Sequence, residues 1–124
     1  FRWRTQFAEN AKTLTSCEAI PEMFHHEVEG WIFPKFKVKR SEAVFLTDRN
    51  EPAWLLKKKK VSMRAIREQG AEVVEFKARG KESLARIFSM IALGDWTSCE
   101  LAKLYHADPL SIKVIDRIKK AVLV

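Results

Sequence analysis

Ala43-Val44-Phe45-Leu46-Thr47-Asp48 is the stretch on which the fold turns. Four consecutive apolar residues closed by Thr-Asp read as a buried strand, of the kind found in a parallel sheet covered on both faces. Asn50 and Pro52 suit a helix start, the helix should reach about Gln69, and Gly70 should close it. Glu72-Val73-Val74-Glu75-Phe76-Lys77-Ala78 then supplies a second strand candidate. Strand, long helix, strand is a crossover unit, and a crossover makes its two strands parallel.

The flanks read as helices. In residues 1–14, Trp3, Phe7, Ala11 and Leu14 recur at spacings of four, four and three and form one apolar stripe. Glu9 falls on the opposite side, free to line a cleft. Thr15, Ser16 and Pro21 suggest a turn. A short helical piece through His25-His26-Glu27-Val28-Glu29 should stop at Gly30, and residues 33–40 read as a loop or edge segment. Beyond the second strand, Leu84, Ile87, Phe88, Ile91 and Ala92 mark a helix that Gly94 should terminate. Thr97-Ser98-Cys99-Glu100 resembles a capping box that opens another helix. Asp108-Pro109 offers an N-cap and first position for the last helix, whose Ile115, Ile118 and Val122 should face inward. The class is therefore α/β, a short parallel sheet flanked by helices. Two strands are few for such a sheet, so at least one more is expected upstream of Phe1.

Composition excludes several classes. In 124 residues, 47% are hydrophobic and 31% charged, which is globular and not disordered. No apolar run approaches the ~20 residues of a bilayer span. Cys17 and Cys99 fit reduced thiols of a cytoplasmic protein, and with three His they fall in no zinc spacing. The net charge of +7 and the run Lys57-Lys58-Lys59-Lys60 could serve nucleic acid or a smaller anion such as a phosphorylated metabolite. At helical spacing, however, four successive lysines point in four directions, and the plain reading of the run is a solvated surface.

Four segments carry a resemblance. Arg2-Trp3-Arg4-Thr5-Gln6-Phe7-Ala8-Glu9-Asn10-Ala11-Lys12 is similar to the "RWKTQxxENAK" segment of the bifunctional phosphoglucose/phosphomannose isomerases. Pro21-Glu22-Met23-Phe24-His25-His26-Glu27-Val28-Glu29-Gly30-Trp31 resembles that family's "PExNHNEIxGW". Gly94-Asp95-Trp96-Thr97-Ser98 with Leu101-Ala102, then Asp108-Pro109, then Ile118-Lys119, follow "GDWxSxxLA…DP…LK" in order. The resemblance implies a flavodoxin-like sugar isomerase (SIS) domain. Residues 1–124 would be the C-terminal part of the second such domain of a longer chain, incomplete at its N-terminus.

What the resemblance implies chemically is aldose–ketose isomerisation. Glucose 6-phosphate and mannose 6-phosphate would be converted to fructose 6-phosphate by ring opening and proton transfer through an enediol. Glu9 matches the family's base, His25 its ring-opening histidine, and Lys119 the lysine that reaches the sugar hydroxyl and ring oxygen. A carboxylate can carry a proton between C1 and C2, and an imidazole can exchange one near neutral pH. Phe24 and His26 replace the two Asn that flank the histidine in the family, which bears on substrate preference. The resemblance further implies a homodimer with His25 contributed across the interface, no metal or organic cofactor, and no nucleic acid or membrane partner. The phosphate loop and an enediolate-stabilising Arg would lie outside this chain. Two other readings remain: a sugar-phosphate-binding domain without catalysis, which Phe24 and His26 favour, and a basic nucleic-acid-binding module.

Overall fold

The computed structural model describes residues 1–122. The elements are α1 (Arg2–Asn10), a 3₁₀ turn (Glu22–Phe24), α2 (Glu27–Gly30), α3 (Lys35–Val38), β1 (Glu42–Thr47), α4 (Ala53–Glu68), β2 (Glu72–Lys77), α5 (Ser83–Leu104) and α6 (Lys113–Val122). They fall into two compact units, Glu18–Met90 and Phe1–Cys17 with Ile91–Val124.

The first of these holds the crossover. β1 and β2 pair in parallel, from Glu42 opposite Glu72 to Thr47 opposite Lys77, as the spacing around Ala43–Leu46 requires. α4 starts after an extended Pro52 and ends before Gly70, whose φ of +97° is a conformation glycine adopts freely. Lys59, Ser62, Met63 and Ile66 are the buried face of α4, spaced as one helical stripe. They meet a core of Met23, Val38, Ala43, Phe45, Ala71 and Val73, with Ile20, Phe24 and Trp31 packed around it. β1 is buried at alternate positions. Ala43, Phe45 and Thr47 face inward, while Val44 and Leu46 remain exposed, so the strand is not covered on both faces. Residues 33–40 are not a plain loop: Lys35–Val38 makes one helical turn that delivers Val38 to the core.

In the second unit, α1 is shorter than its stripe suggests. It ends at Asn10, and Leu14 is fully exposed. Ala11, Ser98 and Ala102 are buried, and Trp3 stacks on Phe7 with ring centroids 5.9 Å apart. Gly94 does not terminate a helix. α5 runs through it without a break, and a Cβ at Gly94 would lie 2.5 Å from Trp3 Nε1, so close approach is what requires the glycine. Nor do Thr97-Ser98-Cys99-Glu100 open a helix. Within α5, Thr97 Oγ1 donates to Leu93 O and Ser98 Oγ to Asp95 O, which is back-bonding of mid-helix hydroxyls. Asp108 caps a turn instead of a helix: its carboxylate accepts from Leu110 N, and α6 begins only at Lys113.

Two expected core stripes are uncovered. Leu84, Ile87 and Phe88 on α5, and Ile115, Ile118 and Val122 on α6, are all exposed. Periodicity reports that a helix has an apolar side; burial needs a second surface against it.

Candidate active site

α1 places the first candidate. Glu9 lies in the last turn of the helix with an exposed side chain, on the side away from Trp3 and Phe7. The neighbouring Asn10 anchors this turn to α5: its Nδ2 donates to Ser98 Oγ at 2.8 Å and to Gln6 Oε1 at 3.1 Å. Ser98 is fully buried, so the anchor is held from below by the helix it sits on. At the other end of α1, Arg2 donates twice to Asp95, each at 3.1 Å. That hydrogen bond and the nearby carboxylate charge raise the Arg2 guanidinium above its ordinary value.

Two residues beyond Asn10 the backbone turns left-handed at Lys12, with φ +56°. This folds the lysine back over the end of α1, where Nζ donates to Glu9 O at 2.5 Å and to Ser111 O at 2.6 Å. Glu9 O is one of the last carbonyls of the helix, which have no partner within it. Ser111 precedes α6, the helix that carries Lys119. Lys119 itself is exposed in the last turn of α6. Within this unit, then, the backbone of Glu9 is tied to the approach to α6.

His25 belongs to the other unit. It is exposed and closes the 3₁₀ turn, its amide donating to Glu22 O at 2.9 Å. His26 is also exposed, its Nε2 3.6 Å from Glu22 Oε1. Phe24 points inward against the core, with Lys58 Nζ 5.6 Å from its ring centroid. The residue that replaces a flanking Asn of the family thus fills a packing role.

A polar cluster that sequence reasoning missed sits at the carboxyl end of β1, the end of the strands where α/β sheets commonly hold ligands. Lys59 is only 2% exposed, not solvated like the rest of its run. Its Nζ donates to Leu46 O (3.0 Å), Thr47 Oγ1 (2.7 Å) and both Glu51 oxygens (3.0 and 2.9 Å). Thr47 in turn donates to Glu75. Beside them, the buried Arg86 donates to Asp48 Oδ2 at 2.6 Å and to Lys81 O at 2.7 Å. The Asn50 amide, first, and then Arg86 hold the Asp48 carboxyl below the usual carboxylate range. The signal for Lys59 was present in the sequence, since it is four residues before Met63 and seven before Ile66, on the core stripe. These bonds tie α4 and α5 to the end of β1 and brace it. Cys17 and Cys99 are both free thiols. No helix among the described residues is long and apolar enough to cross a membrane.

The parallel βαβ unit with its helices places the chain in the α/β class. The profile described as "Bacterial phospho-glucose isomerase C-terminal SIS domain" matches residues 1–122, and the chain belongs to that family. The bifunctional phosphoglucose/phosphomannose isomerase of Aquifex aeolicus is 33% identical over 119 residues, which are 96% of this chain and 37% of that protein. The protein of the same name from Caldicellulosiruptor bescii is also 33% identical, over 95% of this chain and 35% of its own length. The solved structure of a glucose-6-phosphate isomerase like protein from Thermus thermophilus superposes with a TM-score of 0.63 at 22% identity. It covers 95% of this chain and 37% of that one and shows the shared fold. This chain therefore spans a little over a third of the length of the relatives it matches.

Proposed function

We propose that this chain is the catalytic C-terminal part, from the second sugar isomerase domain, of an isomerase of hexose 6-phosphates. The whole protein interconverts glucose 6-phosphate and mannose 6-phosphate with fructose 6-phosphate in the cytoplasm. The observation that carries the reading is the motif helix α1. It presents Glu9 to solvent while Asn10 and Lys12 fix its last turn by three hydrogen bonds within its own unit, to Ser98 Oγ, Glu9 O and Ser111 O. A base needs that combination, a reachable carboxylate on a backbone that does not wander.

In this mechanism His25, contributed across a homodimer interface, moves the proton that opens the sugar ring. Lys119 steadies the ring-opening hydroxyl. Glu9 then takes the proton from C2 of the aldose and returns it to C1 of the enediol, which yields the ketose. Side chains carry every proton, and the substrate phosphate is held by residues of the rest of the protein. The names of the relatives and the family match over residues 1–122 support this assignment; the basic nucleic-acid reading has no comparable support.

The test is Glu9→Gln in the intact protein. Turnover should fall by roughly 10²–10⁴-fold, the usual contribution of a general base, with fructose 6-phosphate still bound. Full activity in that variant refutes the assignment. Because Phe24 packs against the core where the family has an Asn, a second reading is a binding domain without catalysis. Binding of fructose 6-phosphate by the wild type, with no exchange of the C2 proton into solvent, would decide for it.

A further inference from the structure

Lys12 is in a conformation that costs a non-glycine residue energy. Its φ of +56° brings Cβ toward the carbonyl that follows it, and at the end of a helix this position usually falls to glycine. Such a strained residue persists when its surroundings hold it, and the hold is visible. The left-handed turn aims the ammonium at Glu9 O (2.5 Å) and Ser111 O (2.6 Å). The negative end of the α1 dipole lies at the same place and favours a cation there. A glycine would make the turn more easily and could supply neither bond.

We propose that Lys12 is a positioning residue for isomerisation. Its ammonium clamps the last turn of α1 to the segment entering α6, and so fixes where the Glu9 carboxylate stands. The proposal rests on Glu9 being the base. Around that residue α1 is anchored to two different parts of its unit. Asn10 bonds to Ser98 on α5, and Lys12 bonds to Ser111 ahead of α6. Removing the second leaves the tie to α5 and releases the helix end from the segment entering α6. A misplacement of about 1 Å at a reacting group is enough to cost on the order of 100-fold in rate. The clamp is made to the main chain of Glu9, so it leaves both carboxylate oxygens available to substrate.

The experiment compares Lys12→Gly, Lys12→Met and Lys12→Arg with wild type in the intact protein. Lys12→Gly relieves the backbone and removes the ammonium, which separates the conformational role from the clamping one. It should match or exceed wild type in resistance to urea, yet lose kcat by on the order of 100-fold with KM unchanged. Lys12→Met should lose kcat equally, and Lys12→Arg, which keeps a cation donor, should recover most of it. A kcat within twofold of wild type in both the Gly and the Met variants overturns the proposal. A loss of kcat only in variants that have also lost stability overturns it as well, because that is what a structural role predicts. Glu9→Gln is measured beside them. If it is inactive while the Lys12 variants are normal, the base reading stands and the clamp falls. If Glu9→Gln turns over freely, the base reading falls and takes the clamp with it.

Discussion

Placing a single methyl on Gly94 sets two helix effects against each other, and the structure decides which wins. Gly94 lies in the middle of α5 and is buried under Trp3. In an open helix, Gly→Ala stabilises by up to about 1 kcal/mol, because alanine loses less backbone entropy. Here the new Cβ would stand 2.5, 2.6 and 2.7 Å from Nε1, Cδ1 and Cε2 of Trp3, where carbon contacts want about 3.5–4.0 Å. Relief therefore requires about 1 Å of movement. The indole is stacked on Phe7 at 5.9 Å, and α1 is held at Arg2–Asp95 and Asn10–Ser98. The helix and its anchors must give together. Overpacking costs about 1–3 kcal/mol, and stretching a neutral hydrogen bond adds up to about 1. Net of the propensity gain, Gly94→Ala should destabilise by about 1–2 kcal/mol. With a urea slope of about 2 kcal/mol/M, the midpoint should fall by roughly 0.5–1 M. Trp3→Ala removes the obstacle, so in that background the same substitution should stabilise. The two changes should therefore couple by about 2 kcal/mol in a double-mutant cycle. A Gly94→Ala chain as stable as wild type, or more so, refutes the packing argument outright.

Two further outcomes test the polar cluster at the end of β1. Lys59→Met leaves Glu51 and Thr47 without their buried partner and should cost about 3 kcal/mol or more in urea unfolding, while Lys60→Ala should stay within about 0.5; equal effects would show that Lys59 is solvated after all. Asp48 has its folded-state pKa lowered by the Asn50 amide and Arg86, so its contribution is present above the unfolded value near 4 and is lost as pH falls through the lower, folded one. Asp48→Asn should flatten that part of the acid limb, and an unchanged slope of stability as pH falls below about 4 would contradict the assignment.

What could be read from the residues was whatever repeats locally. The crossover around Ala43–Leu46, the extent of α4 and the parallel sense of the strands follow from apolar runs, Pro52 and Gly70, and each needs only neighbours in sequence. What could not be read depends on a distant surface. Gly94 looks like a stop because glycine commonly ends helices, but its role is to admit an indole from a residue far away in the chain. The stripes of Leu84, Ile87 and Phe88 and of Ile115, Ile118 and Val122 have the right period, yet nothing in a period states that a partner is present. Glu9, His25 and Lys119 were visible through motif likeness alone, since each is exposed and an exposed polar residue looks the same in sequence whether or not it acts. Lys12 belongs to the same motif and went unassigned, because a backbone angle is what gives it a task.

The net charge of +7 takes on a different meaning once individual cations are followed to their partners. Lys59 reaches the Leu46 carbonyl at the end of β1, Arg86 the Lys81 carbonyl in the loop after β2, and Lys12 the Glu9 and Ser111 carbonyls beside the end of α1. All three are cations spent where the chain leaves a strand, turns in a loop or leaves a helix, and where main-chain oxygens lack a regular partner. A long basic side chain solves that problem well, because it brings several donors to one point and carries a charge that suits the carbonyl ends. It follows that a count of basic residues overstates the charge available to a ligand. The cations that act inside the structure also mark its joints, and one of those joints, at Lys12, lies directly beneath the residue proposed to move the proton. A substitution there tests fold and chemistry separately, which the exposed residues of the lysine run cannot do.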